Sequence, residues 1–325
     1  MSSESAGHGG SCGVLVTTPE FVPSSWGPLH TFLVHVFCLI DDWMQDQTVR
    51  TRGPRPRLHD SEVLTMEVVG AFLGIDTDEG VFDHFRRHYA DWFPALESVH
   101  RTTFTRQAAN LWHFKERLWR HVLTRVNADP EVSVIDSFPM PVCRFARAKR
   151  CRRLREHSAY GYDDMAKQTF YGLRVHLVIA WPGVIVDFRL APGNISDVKV
   201  AKDLLAERAG WTLGDRNYWS PQLREECENH GLCLLSPYKT RKGEQERKAR
   251  GEPACWSGWL TQKRRRVETV IGQLSERYRV KKVWARDGWH LWSRWLRTVL
   301  SHTIAVLFCQ QQHLSPLDFD GLIID

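Results

Sequence analysis

Val132-Ser133-Val134-Ile135-Asp136 decides how the chain is read. A short β-branched run ends in a carboxylate, immediately after a helix-breaking Asp129-Pro130. The residues before it have helical spacing, and those after it alternate like strands. A second run, Trp211-Thr212-Leu213-Gly214-Asp215, also ends in an acid. An aspartate at one strand end is commonly a turn or cap residue. Two such acids point to a site at the edge of a sheet.

Working upstream, Leu29 to Gln45 has apolar residues at helical spacing. Asp60 or Ser61 is an N-cap for the run Val63–Val69, and Gly74 stops it. Further helices are expected over Gly80–Tyr89 and Thr103–Val126. Downstream, Thr169–Trp181 is a long strand, Pro182-Gly183 a turn, and Val184–Leu190 its hairpin partner. Next come a helix over Val198–Arg208, the Trp211 strand, a helix from Pro221 and a strand at Leu232–Ser236. Two helices close the chain, one carrying Glu268 and one over Gly288–Gln310. The order predicts an α/β fold, a mixed sheet with flanking helices, preceded by an all-α N-terminal domain. The expected organisation is a flexible N-terminus (1–28), a helical domain (29–130), an α/β domain (131–312) with a basic insertion near 239–258, and a loose tail (313–325).

The chain has 325 residues, 42% hydrophobic and 25% charged, the balance of a globular protein. Its eight cysteines form no CxxC pair. Reduced thiols are therefore expected, and Cys143, Cys151 and His157 fit no standard zinc-finger spacing. No stretch has the character of a signal peptide or membrane span, so a cytoplasmic protein with no membrane partner is expected. The net charge of +6 is clustered. Arg144, Arg147, Lys149, Arg150, Arg152, Arg153 and Arg155 form one run, Lys239–Arg250 a second, and Lys263, Arg264, Arg265 and Arg266 a third. One run alone reads as a solvated connector; three together favour a polyanion such as DNA.

Glu268 comes directly after the third run. Val267, Val270, Ile271 and Leu274 form an apolar stripe, and Glu268 projects from its flank, with Arg264 one turn earlier. With Asp136 and Asp215 it makes three acids suited to Mg²⁺ or Mn²⁺. Asp136, Asp215 and Glu268 are thus the candidate catalytic and metal-binding residues. Other residues have plainer readings: His176 as a satisfied core histidine, Asn194 and Asp197 as helix caps, and Trp284, Trp289, Trp292 and Trp295 as core.

Five stretches carry a family resemblance. Val134–Val142, Phe170–Leu177, Ala191–Asp197, Leu213–Tyr218 and Arg264–Thr269 together resemble insertion-sequence transposases of the nine-eighty-two group of bacterial elements. The resemblance implies that 29–130 is a helical DNA-binding domain and that 131–312 is an RNase-H-like catalytic domain with Asp136, Asp215 and Glu268 as a DDE triad. It implies metal-dependent phosphoryl transfer with two ions, on double-stranded DNA: the terminal inverted repeats and the target, by a homodimer on DNA. Two positions depart from the family pattern. Asn217 stands where many relatives have Gly, and Ser275 where a Lys or Arg often occurs seven residues after the Glu. Arg279, expected on the same helical flank, is the candidate substitute. A nuclease or resolvase on the same fold, or a catalytically inactive DNA-binding derivative, are the alternatives.

Overall fold

The computed structural model describes residues 29–237 and 254–323. The expected flexible N-terminus and most of the basic insertion lie outside the described residues. Five helices come first: α1 (Leu29–Gln45), α2 (Asp60–Phe72), α3 (Asp78–His88), α4 (Arg101–Asn110) and α5 (Trp112–Arg125). α1 buries Phe32, Leu33, Val36, Leu39 and Ile40, one face at helical spacing. α2 is buried on nearly every side and is the central rod of this bundle. Its N-cap is His59, one residue before the expected position, and the His59 N–H donates to Glu62 at 2.6 Å. Asp60 is engaged elsewhere, accepting from Arg50 and from Gln107 Nε2. The expected helix over Thr103–Val126 is broken at Leu111 into α4 and α5.

Six strands come next: β1 (Val132–Pro141), β2 (Ala159–Asp163), β3 (Gln168–Ala180), β4 (Val184–Pro192), β5 (Gly210–Leu213) and β6 (Leu232–Leu235). β1 lies antiparallel to β3 and parallel to β5, and β5 is parallel to β6. On its other edge β3 pairs with β2 over 168–172 and with β4 over 173–180. The result is the mixed sheet with flanking helices expected from the element order, with β2 as an added strand. Gly210 starts β5 at φ +84°, and a Cβ there would lie 2.5 Å from the Glu131 carbonyl oxygen. Only glycine fits, so the register of β5 on β1 is set at that point.

Helices cover both faces. α6 (Asp197–Leu205) and α7 (Pro221–Glu228) pack over Ile135, Val178 and Leu234. On the other face Val134, Phe138, Leu177 and Leu213 share one core with the N-terminal helices, α8 (Ala254–Glu276) and α9 (Gly288–Gln311). The stretch expected to be a loose tail belongs to this core as far as it is described. Leu317, Phe319 and Leu322 are buried, the Leu317 carbonyl accepts from Gln273 Nε2 at 2.8 Å, and Asp320 pairs with Arg277. Its apolar residues sit over the C-terminal half of α9, where Phe319 meets Phe72 and His302. No helix among the described residues is long and apolar enough to cross a membrane.

Charges are buried where the bundle meets α9. Lys115 of α5 reaches Glu67 of α2 at 2.6 Å and Ser293 Oγ of α9 at 2.8 Å. Arg297 of α9 lies 3.0 Å from Asp78 of α3 and 3.6 Å from Glu67, and Arg294 lies 2.9 Å from Asp78. Burial pushes the Lys115 ammonium down and the Glu67 carboxyl up from their ordinary values; their mutual attraction opposes both shifts. Removing one partner strands a charge in the core. Lys115→Met is expected to cost about 3–5 kcal/mol, read by chemical denaturation. Lys115→Met with Glu67→Leu is expected to recover most of that loss.

Candidate active site

The last paired residues of β1 and β5 are Val134 and Leu213. Continuing that register by two residues brings Asp136 alongside Asp215. The Asp136 carboxylate leaves the sheet on the face of Val134, because side chains alternate along β1, and Asp215, two residues past the end of β5, is near enough to act on it electrostatically. Each is held by a local backbone N–H. Asp136 Oδ1 accepts from Ser137 N at 2.7 Å. Asp215 caps the short 3-10 turn Arg216–Tyr218, with Oδ1 accepting from Asn217 N at 2.9 Å and Oδ2 from Asn217 Nδ2 at 3.1 Å. Asn217 is therefore not there for a left-handed backbone, since it is absent from the positive-φ residues; it braces Asp215 with its side chain.

Burial pushes the Asp136 carboxyl up to about 6, and the charges of Asp215 and Asp197 add to the rise. The Ser137 N–H and Arg264 work in the other direction. Arg264 thus bears on Asp136 electrostatically from α8. Glu268, one turn further along, is exposed, while Val267, Val270 and Leu274 of the expected stripe are buried. Among the described residues no three His, Cys, Asp or Glu side chains stand close enough to hold a metal ion. The structure brings Asp136 and Asp215 together and leaves Glu268 outside their group. The donor set still suits a hard divalent cation: two neighbouring carboxylates, one in β1 and one just past β5.

Asp197 is not the cap that its place at a helix start suggests. The N-cap of α6 is Ser196, and the Asp197 carboxylate turns to the sheet. It accepts from Ser137 Oγ at 3.2 Å and lies 4.0 Å from Arg174 Nε and 3.7 Å from His176 Nδ1. His176, fully buried, also meets Tyr218 Oη at 3.5 Å, and its Nε2 has no hydrogen-bond partner. Burial, aided by Arg174, holds this imidazole down at about 3, so it is neutral. It is a core histidine, satisfied on one nitrogen only. The clue in the sequence was register: Ser137 and His176 face each other across β1 and β3.

The cations divide into several groups. Arg144, Arg147, Lys149, Arg150, Arg152 and Arg155 are exposed around a short 3-10 turn, Phe145–Arg150. Arg153 instead clamps the loop, donating to the Val283 and Val142 carbonyl oxygens at 3.0 and 3.2 Å. Lys263 and Arg266 sit over the Trp181 ring at 3.3 and 5.3 Å, while Arg265 is exposed. Arg279 is not on the helical flank expected for it. α8 ends at Glu276, and Arg279 has φ +51° in the turn beyond. The tryptophans expected in the core also divide. Trp295 is buried and Trp292 packs on the core, but Trp284 and Trp289 are exposed. Trp284 precedes α9, and Trp289 lies at its open N-terminal end with its indole N–H donating to the Ala109 carbonyl oxygen at 3.0 Å.

The raised Asp136 sets a pH test on the metal-free protein. A carboxyl with a folded value above its unfolded value near 3.8 favours the fold when protonated. That stability is present below about pH 4 and lost as pH rises through about 6. Asp136→Asn is expected to match the wild type near pH 4 and to be more stable by about 3 kcal/mol above pH 7. Denaturation midpoints in chelator across that range check it.

Residues 127–287, which hold every strand of the sheet and the whole of α8, match the family model described as a transposase DDE domain. No curated protein matches the chain significantly in sequence. Among solved structures it is similar to the piggyBac transposase in a synaptic complex with hairpin DNA. That likeness has 12% identity and a TM-score of 0.44, covering 88% of this chain and 76% of the other. It is too slight to carry an argument. The family match covers the segment that builds the acid pair.

Proposed function

We propose that the chain is a DNA transposase that cleaves DNA at the ends of an insertion sequence and joins them to target DNA. The observation that carries this reading is the nearness of Asp136 in β1 to Asp215 just past the end of the neighbouring parallel β5, within the segment that matches the DDE domain. Glu268 completes the triad from α8, the helix whose Arg264 already acts electrostatically on Asp136. These three acids would hold Mg²⁺ or Mn²⁺, and a pair of such ions would activate the attacking oxygen and offset charge on the leaving one. The chain's own groups do the positioning. The Ser137 N–H and Asn217 fix the two carboxylates, and Arg264 offers its positive charge to the phosphate. DNA backbone is held by the exposed cations of 144–155 and by Arg265, with the helical segment 29–130 contributing to the grip on the terminal repeats, in a homodimer on DNA.

The test is cleavage and strand transfer on DNA carrying the element's ends. Asp136→Ala, Asp215→Ala and Glu268→Ala are each expected to abolish cleavage while leaving DNA affinity largely intact, and chelator is expected to stop the wild type until Mg²⁺ or Mn²⁺ is restored. Wild-type cleavage in any one variant removes that residue from the site, and full activity in chelator ends the reading. The cations have their own test. Arg150→Ala with Arg152→Ala is expected to weaken binding to all sequences alike and to lower the salt slope of log K by about 0.9 per lost phosphate contact. Arg153→Ala is expected to lower stability instead, because that guanidinium is spent on backbone carbonyl groups.

A further inference from the structure

The basic loop and the strand after it share a feature that phosphate binding does not explain. Nine large hydrophobic side chains are exposed among the described residues, and four of them, Phe145, Tyr160, Tyr162 and Met165, fall in one stretch of 21 residues. Tyr160 and Tyr162 alternate with buried Gly161, so both rings leave the same face of β2. Tyr160 is opposite Tyr171 and Tyr162 opposite Thr169 on β3. The Tyr160 ring is held between Tyr171, at 5.1 Å, and Phe145, edge-on at 6.0 Å. Phe145, Tyr160 and Tyr162 remain 56%, 46% and 48% exposed. The platform is thus built and braced, yet uncovered.

Its surroundings are cationic. Arg144, Arg147 and Lys149 flank Phe145 and are exposed. Of the acids nearby, Asp163 is spent on the N–H groups of Met165 and Ala166 in the β2–β3 turn, and Glu156 and Asp164 remain. Aromatic faces among phosphate-binding cations suit a strand whose bases are unpaired, because rings on a sheet surface cannot reach bases stacked inside a duplex. Tyr160 is level with Tyr171, which accepts from the Val142 N–H at the end of β1. Val142 is six residues beyond Asp136, roughly 20 Å along the strand. The platform lies on the same sheet face as Asp136, several nucleotides away from the acid pair.

We propose that Phe145, Tyr160 and Tyr162 form a stacking site for single-stranded DNA, taking unpaired bases of the strand that runs past the cleavage site. This rests on the DNA transposase reading. Its test uses affinity in chelator, without cleavage, so the two can fail separately. The full chain is titrated with a short labelled oligothymidylate, the matching abasic oligonucleotide and a duplex. The wild type is expected to prefer the base-bearing strand to the abasic one, roughly tenfold per stacked base. Tyr160→Ala with Tyr162→Ala is expected to remove that preference and leave abasic and duplex binding unchanged, while Tyr160→Phe with Tyr162→Phe keeps it. Equal wild-type affinity for the thymidylate and abasic strands overturns the proposal. So does a double-alanine variant that keeps the preference, or one whose altered property is self-association of the chain, which would make the face a protein contact.

Discussion

Lys115 and Glu67 hold the architecture together. Their contact, with Arg297, Asp78 and Ser293 around it, is sealed from water and ties α2, α3 and α5 to α9. Once two opposite charges are buried, neither helix can shift without exposing the other to an apolar medium, so the geometry is all-or-none. α9 passes this constraint to the sheet, because Trp295 packs on Phe138 and Phe188. The first third of the chain is therefore part of the foundation of the acid-bearing sheet.

The two faces of the sheet divide the labour. On one face Asp136 looks toward α8, whose Arg264 tempers its raised carboxyl. On the other, Ser137 joins Asp197, Arg174, His176 and Tyr218 in a largely buried polar knot. Because consecutive residues of one strand serve both, the knot stiffens β1 at the place where the acid must be presented. Ser137 itself does two jobs: its hydroxyl engages the knot and its N–H orients Asp136.

Much of this was legible in the sequence, and for a physical reason. Short apolar runs ending in acids, such as 132–136 and 211–215, announce strands by local pattern; Asp215 does follow the end of β5, but β1 runs on to Pro141, so Asp136 lies in mid-strand and not at the strand end the pattern suggests. β2 was missed because Ala-Tyr-Gly-Tyr-Asp is short and glycine-broken, and its strand character comes from pairing with β3. The role of Asp197 was missed because a helix-start aspartate normally caps, and only the fold brings Ser137 and Arg174 to it. Glu268 exposes the same limit from the other side. Helical phase puts it correctly on the flank of the stripe, but phase says nothing about how far α8 stands from the sheet. The segment 313–323 has the look of a loose tail because its three apolar anchors are separated by polar residues, and only the groove beside α9 gives them a use.

Gly210 has a consequence for how such a chain can change over time. It fixes β5 against the Glu131 carbonyl oxygen, and from there to each acid the count is the same: five residues from Glu131 to Asp136 and five from Gly210 to Asp215. The acid pair is thus a matter of counting along two rails that start from one pin. A residue gained or lost on either rail turns that carboxylate to the opposite side of the sheet. Substitutions along the rails can accumulate, but length cannot, so variation in length must be absorbed elsewhere, in connections such as 142–158 that bear on neither count.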